Sequence, residues 1–465
     1  MIMKNKILWI LTEERPKREV IANILMMFAK DKKFACFVDT IRILPVLENG
    51  KFTFLYEVTG FRCNKIKKVF IKSVSGFSSF VDFLIFFQRK QPTQKDIPLY
   101  AIEETKTDDK ESRNTGVYQR ASKFVFIDYY YPEVKKIMFY NLQVEQKEEP
   151  TATYAFGTKL LMTLGVKILG KKLDEKIFIP FNSVDEILYF KKKMRRAPKG
   201  NIPILIRKID NKITISGRLY KSDGLSHDPN IGALSLISAA LRKLGWRGEI
   251  VITRHGLKQV HIQPNNKFIK IANRLGLKFD RLSVPVSPKS DSYWKYETEG
   301  EKLGTIFIHL VVENFTEGYS IFENHAGCEK GYFITSDGKH IPLEKYSDKK
   351  AYKAGDKNKI ISIPDLILID FGRSEVINIE GKKYQFRQNG IEELKGFGDI
   401  EKTYIKKYYP KYKIIRTVVL YGGIGKKIIE IEVGFLLNEK GDLILGIKAP
   451  KLFREAIKNL LDFWS

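Results

Sequence analysis

The 465-residue sequence predicts a mixed α/β (α+β) protein in which two similar modules of strands and helices flank a basic α+β central segment. Three observations predict this class. Apolar runs of strand length alternate with segments of helical periodicity. One acid–strand–turn–strand constellation occurs twice, near each end of the chain. Between the copies lies the densest basic run, Lys191-Lys-Lys-Met-Arg-Arg196.

Lys6–Thr12 reads as a buried strand, and Glu13 and Glu14 follow it too soon for a signal peptide. Pro16-Lys-Arg-Glu19 opens a helix to about Ala29, with Val20, Ile21, Ile24 and Leu25 on one face. Strand-like runs follow at Ile41–Leu47, Phe52–Val58, Lys68–Val74, Phe80–Phe87 and Leu99–Thr105. A helix is expected around Val117–Phe124 and a strand over Lys136–Tyr140. The polar stretches Glu145–Thr151 and Pro285–Ser292 mark boundaries, dividing the chain into 1–148, 149–298 and 299–465. In the centre, Ile231–Leu244 is a helix, with Asp228 or Asn230 as its cap and Gly245 as its stop. The last third is expected to hold strands at Thr305–Val312, Ile361–Asp370, Glu375–Glu380 and Arg416–Tyr421, then a closing helix over Leu452–Phe463.

Lys plus Arg is 81 against 54 for Asp plus Glu, a formal charge of +27. Such an excess points to a polyanion, because Lys and Arg gain affinity by releasing counterions from phosphates. Nucleic acid is favoured over the rival readings, an anionic membrane surface or a lysine-rich genome. Cys36, Cys63 and Cys328 are an odd number with no CxxC pair. That argues against a disulfide framework or a cysteine zinc site and for a reducing, cytoplasmic setting. The longest apolar runs, such as Phe80–Phe87, are too short to cross a bilayer, so a soluble protein without a membrane partner is expected.

The repeated constellation carries the chemistry. Asp82 begins one strand run, and Glu104-Thr-Lys106 ends the next. Residues i and i+2 of a strand share a face, so Glu104 and Lys106 are expected to project together and, if the strands pair, to meet Asp82. Two carboxylates offer hard oxygen ligands to a divalent cation, and the lysine can serve a water. Asp365 and Glu380-Gly-Lys382 repeat the pattern, and the order continues downstream: Asp128-Tyr-Tyr-Tyr-Pro132 matches Lys407-Tyr-Tyr-Pro410, and each precedes an apolar run ending in tyrosine, Tyr140 or Tyr421. The plain alternative, exposed charge at strand edges, is weakened by the second copy.

Asp82/Glu104/Lys106 and Asp365/Glu380/Lys382 resemble the PD-(D/E)xK nuclease motif. The resemblance implies two restriction-endonuclease-like sheets and Mg²⁺-dependent hydrolysis of double-stranded DNA. Asp82, Glu104, Asp365 and Glu380 would bind metal, and Lys106 and Lys382 would serve the attacking water. Val81 stands where the family usually has proline. The family often adds an acid from an earlier helix: Glu19 is the candidate in the first module, and Glu313 or Glu323 in the second. The chain looks like type II restriction enzymes with two unlike sites, one per strand, which need no partner subunit to cut an asymmetric target. Alternatives are a repair or mobile-element nuclease, or a DNA-binding protein with one or both sites inactive.

Arg113, Asn114, Gln119 and Arg120 follow the first motif and are candidates for DNA contact, as are Lys191, Lys192, Lys193, Arg195 and Arg196 in the basic run. Arg254-His255-Gly256 and His261 read as surface contacts, with no serine or cysteine arrangement beside them. Glu323-Asn-His325-Ala-Gly-Cys328-Glu329 lacks zinc-like spacing, and Tyr421-Gly-Gly-Ile-Gly-Lys-Lys427 lacks the interval of a phosphate loop.

Overall fold

The computed structural model describes residues 6–48, 51–75, 80–105, 116–140, 152–169, 179–194, 204–221, 224–225, 228–264, 266–286, 292–297, 302–324, 332–335, 339–342, 362–421, 433–437, 443–447 and 449–464. Strand β1 (Lys6–Thr12) is followed by helix α1 (Arg18–Lys32), whose Ile21, Ile24, Leu25 and Phe28 recur at spacings of three and four and are fully buried. Strands β2 (Cys36–Glu48), β3 (Lys51–Cys63) and β4 (Ile66–Ser75) form an antiparallel meander. Cys36 and Cys63 stand opposite one another across β2 and β3 and are joined as a disulfide. An odd cysteine count therefore did not exclude one bridge.

Strands β5 (Phe83–Gln88) and β6 (Tyr100–Thr105) carry the first motif. Helix α2 (Gly116–Tyr130) runs on past Phe124, and the chain turns at Pro132 into β7 (Lys135–Tyr140). Next come α3 (Ala152–Thr163), β8 (Lys167–Leu169) and α4 (Val184–Lys193). Ser183 caps α4 by accepting from the Glu186 amide, so Lys191, Lys192 and Lys193 form the last turn of a helix, where cations suit the dipole. The central elements are β9 (Leu205–Ile209), β10 (Lys212–Ser216), α5 (Asp228–Lys243), β11 (Glu249–Thr253), α6 (Lys267–Leu275) and β12 (Leu277–Phe279). Helix α5 lies where the periodicity puts it, but the Asn230 amide donates to the Arg218 carbonyl rather than capping the helix.

Helix α7 (Lys302–Phe315) replaces the expected strand at Thr305–Val312. Its Thr305, Ile306, Ile308, His309, Leu310, Val311 and Val312 are all buried. A helix buried on most sides reads as a continuous apolar run, which periodicity cannot tell from a buried strand. Later elements include β13 (Tyr319–Glu323), β14 (Leu366–Asp370), β15 (Glu375–Lys383), α8 (Arg387–Lys395), β16 (Lys413–Tyr421) and α9 (Lys451–Trp464).

The chain divides into two compact units, each made of separated stretches. One holds Glu14–Ser73 and Glu297–Ser465, the other Lys6–Glu13 and Val74–Tyr296. A change of unit thus falls near the boundary expected at 298, but none falls near 149, and residues 14–73 belong with the last third. Among the described residues no helix is long and apolar enough to cross a membrane.

In the second unit, β1 pairs antiparallel with β5, β5 antiparallel with β6, and β6 parallel with β7, beyond which β8 adds a further parallel strand. A second sheet in the same unit has the order β12-β11-β10-β9. In the first unit, β13 pairs antiparallel with β14, β14 antiparallel with β15, and β15 parallel with β16. This repeats the β1-β5-β6-β7 pattern strand for strand, with a helical segment before the parallel strand in both. One face of the later sheet packs Ile367, Ile369 and Val376 on Phe397, Ile400 and Ile405. The other packs Leu366, Leu368, Ile377 and Ile379 on α7 and α9. Each fully buried aliphatic side chain of this kind contributes about 1.5–3 kcal/mol, so the strand ends beside the acids are held by a packed core.

Candidate active sites

The same register builds both sites. Leu366 opposes Ile379 on β14 and β15, so Asp365, one step outward, stands opposite Glu380. Phe83 opposes Ile102 on β5 and β6, so Asp82 stands opposite Glu103, not Glu104. Side chains alternate along a strand, and Glu104 therefore belongs to the other face. A backbone bond marks the equivalence. The Gly381 amide donates to Asp365 Oδ2 at 2.9 Å, and the Glu104 amide donates to Asp82 Oδ2 at 2.7 Å. Glu104 is thus the counterpart of Gly381, and Glu103 the counterpart of Glu380.

This one-residue correction moves the lysine too. Counting from Glu103, the position two residues on is Thr105, and Lys106 lies outside the described residues. Lys123 of α2 comes to the acids instead. Its Nζ lies 2.8 Å from Glu103 Oε1 and 3.2 Å from Asp82 Oδ1, so one ammonium spans both carboxylates. Glu103 is fully buried, and its Oε2 also accepts from the Asp82 amide at 3.0 Å. The preceding amide, Val81, donates to the buried Tyr293 hydroxyl at 3.0 Å, and the Tyr293 ring stacks on Phe80. Burial holds the Tyr293 phenol well above its ordinary range, so it stays neutral. Helix α2 is itself placed by a close crossing: a Cβ at Gly232 of α5 would fall 1.5 Å from the Tyr118 carbonyl oxygen, which only glycine avoids.

At the later site the lysine is where the motif puts it. Lys382 Nζ lies 2.8 Å from Glu380 Oε1 and 3.0 Å from Glu393 Oε2, the latter on α8. Burial, and then the nearby Asp365 charge, push the Glu380 carboxyl up to about 8. Burial pulls the Lys382 ammonium down, but its bonds to Glu380 and Glu393 outweigh that and leave it raised. Helix α8 lies close because it has no side chain at Gly390, where a Cβ would meet Lys382 Cγ at 2.8 Å. Farther along the same face, Glu401 binds the Asn378 amide at 2.8 Å and the Arg416 guanidinium at 2.7 and 2.6 Å, tying α8's continuation to β15 and β16.

The later pair offers a divalent cation two hard-oxygen carboxylates at opposed strand positions, and burial, then the Asp365 charge, favours the protonated form of Glu380 there. Asp82 and Glu103 offer the same donor set, with Lys123 set between them. Among the described residues no group of three or more His, Cys, Asp or Glu side chains is disposed to hold a metal ion.

Of the proposed extra acids, Glu323 stands opposite Leu366 on the neighbouring strand, one residue from Asp365. Glu313 and Glu323 both bind the buried Arg15, at 2.8 and 2.9 Å, beside a cavity of about 220 Å³ that Glu19, Lys17 and His309 also line. Glu19 falls in the unit of the later site, not in the unit of Asp82. Arg113, Asn114, Arg195 and Arg196 lie outside the described residues, as do His325, Cys328 and Glu329, while Gln119 and Arg120 lie on α2. Lys192 and Lys193 are exposed, with Lys193 over the Tyr189 ring. Lys191 instead packs over Phe156, and burial lowers its ammonium. No family model, curated protein or solved structure was found that matches the chain.

Proposed function

We propose that the chain is a Mg²⁺-dependent endonuclease of the PD-(D/E)xK kind, a type II restriction enzyme that cuts both strands of double-stranded DNA with two sites. The observation that carries this reading is the shared register: two sheets of one strand order each set an aspartate opposite a glutamate with a lysine within 3 Å of the glutamate. Strand-edge charge alone gives no reason for the same pairing twice. The net charge of +27 suits a polyanionic substrate.

Asp365 with Glu380, and Asp82 with Glu103, would hold the cation, whose chemistry is to polarise the phosphate and offset charge building on it. Lys382 and Lys123 would orient the attacking water and offset negative charge at the phosphate. The Gly381 and Glu104 amides fix the two aspartates, so each acid enters the reaction already oriented. One site cuts one phosphodiester, so a monomer with two sites serves an asymmetric target without a partner subunit.

A second reading, in which the first site is inactive and the protein nicks one strand, has one observation in its favour: Lys123 already bridges both carboxylates. Digestion of plasmid DNA in Mg²⁺, with sequencing of the ends, separates the readings. Discrete double-strand breaks at one sequence support the restriction reading, nicks confined to one strand support the second, and bound but uncut plasmid excludes both.

A further inference from the structure

The unit that carries the first site also carries three parallel strands, β10, β11 and β12, that neither acid pair uses. Parallel strands end at a common edge, and in open α/β sheets the carboxyl edge is where ligands are bound. An arginine follows each of the three within two residues: Arg218 after β10, Arg254 after β11 and Arg281 after β12. The ladder continues past the strand ends, with Gly217 N to Thr253 O at 3.1 Å, Leu219 N to His255 O at 2.8 Å and Asp280 N to Ile252 O at 3.0 Å. The three arginine positions therefore fall within about one residue of a common row, spread over roughly 10 Å at the usual strand spacing of about 4.8 Å. All three are exposed.

Two of them hold costly backbone. Arg254 and Arg281 have φ of 51° and 58°, in the left-handed region that side chains other than Gly, Asn or Asp rarely adopt. Such strain persists where the surroundings fix it and is concentrated at functional edges. The surroundings do fix it here. Buried His255 accepts from the Leu257 amide at Nδ1, so its Nε2 carries the proton and donates to the Asp280 carbonyl at 3.0 Å. Gln259 exchanges two hydrogen bonds with the Ser283 backbone, at 2.8 and 3.0 Å. The pinned loop adds exposed Lys258 to the edge, while Asp280 is the acid beside it.

We propose that this arginine edge grips the phosphate backbone of duplex DNA, an inference that rests on the nuclease reading above and names a DNA-holding surface for it. Phosphates are favoured over base edges by shape: a three-stranded edge flanked by helices is broader than the helix or two-stranded ribbon that a major groove admits. Among the described residues of this edge the cations Arg218, Arg254, Arg281 and Lys258 outnumber the acid Asp280, which matches a polyanion, and phosphate contacts need charge at a fixed spacing rather than bidentate reading.

The test is fluorescence anisotropy of a labelled duplex in EDTA, titrated between 50 and 200 mM salt. The triple variant Arg218→Gln, Arg254→Gln, Arg281→Gln is expected to lose about 2.7 from the slope of log K against log salt, at about 0.9 per phosphate contact, and at least about tenfold in affinity. The triple lysine variant, which keeps point charges, is expected to keep the slope and stay within about threefold. Melting temperatures check that each variant folds. A glutamine variant that binds with unchanged affinity and slope overturns the proposal, and so does a lysine variant as weak as the glutamine one. If the wild type cuts DNA in Mg²⁺ while the glutamine variant binds as tightly, the edge alone is wrong. If the wild type binds duplex but never cuts, and the glutamine variant loses the slope, the edge stands and the nuclease reading falls.

Discussion

At the later site the lysine lies two residues beyond the glutamate on the same strand, and α8 contributes a second carboxylate, Glu393, that shares it. At the first site the lysine comes from α2, twenty residues beyond Glu103, and bridges both members of the acid pair. The strands, the register and the backbone bond to the aspartate are otherwise the same. The difference teaches that an ammonium can reach the same place beside the acid pair without a fixed sequence spacing. A strand supplies it at i+2, and a helix over the same face supplies it from a distance that no short motif encodes.

The sharpest break in the comparison comes from the lysines. Lys123→Ala and Lys382→Ala are each expected to slow one strand's cleavage by about 10²–10⁴-fold, the usual range for a positioned proton-handling group, leaving the other strand unchanged. Lys106→Ala is expected to leave both strands within about threefold. End-labelled duplexes resolve the strands, and loss of cleavage in Lys106→Ala with retention in Lys123→Ala reverses the assignment. The acids give the next effect. Glu103→Gln should cost its strand about 10²-fold or more, whereas Glu104→Gln, which keeps the backbone amide that donates to Asp82, should cost little.

Proton linkage separates the sites more gently. The Glu380 carboxyl is raised, so a cation at the later site must displace a proton at any pH below about 8. Apparent cation affinity there is expected to rise by about tenfold per pH unit from pH 5 to 8 and then level off. Because the folded state keeps this proton where the unfolded chain has lost it, the metal-free protein should lose stability as pH rises between the ordinary glutamate value and about 8. Calorimetric titration of Mg²⁺ across that range reads the first effect, and Glu380→Gln should flatten it. The smallest effect is packing: Gly390→Ala pushes on Lys382 and is expected to slow the later site by a few-fold, at a cost near 1–3 kcal/mol in thermal stability.

Much of the architecture was legible because strands buried in a mixed sheet advertise themselves as apolar runs. β1, β5, β6, β7, β15 and β16 all lie where those runs are. Helix α7 was not, since burial on most sides erased its periodicity. At the later candidate site the spacing was legible: Lys382 binds Glu380, and the amide between them, Gly381, donates to Asp365. The first was legible only to the aspartate. A doubled Glu103-Glu104 offers two registers, and only the pairing of Phe83 with Ile102 decides between them. Glu104 and Lys106 also form a Glu-x-Lys in sequence, whereas Lys123 has no sequence signal beyond its place immediately before the apolar run Phe124–Ile127.

Strand-resolved cleavage by Asp82→Ala, Asp365→Ala and the double variant tests the two-site account most directly. Each single variant is expected to nick one strand, opposite strands for the two, and the double variant to cut neither. A single substitution that abolishes cleavage of both strands, or one that leaves both intact to be cut at the wild-type rate, contradicts the account.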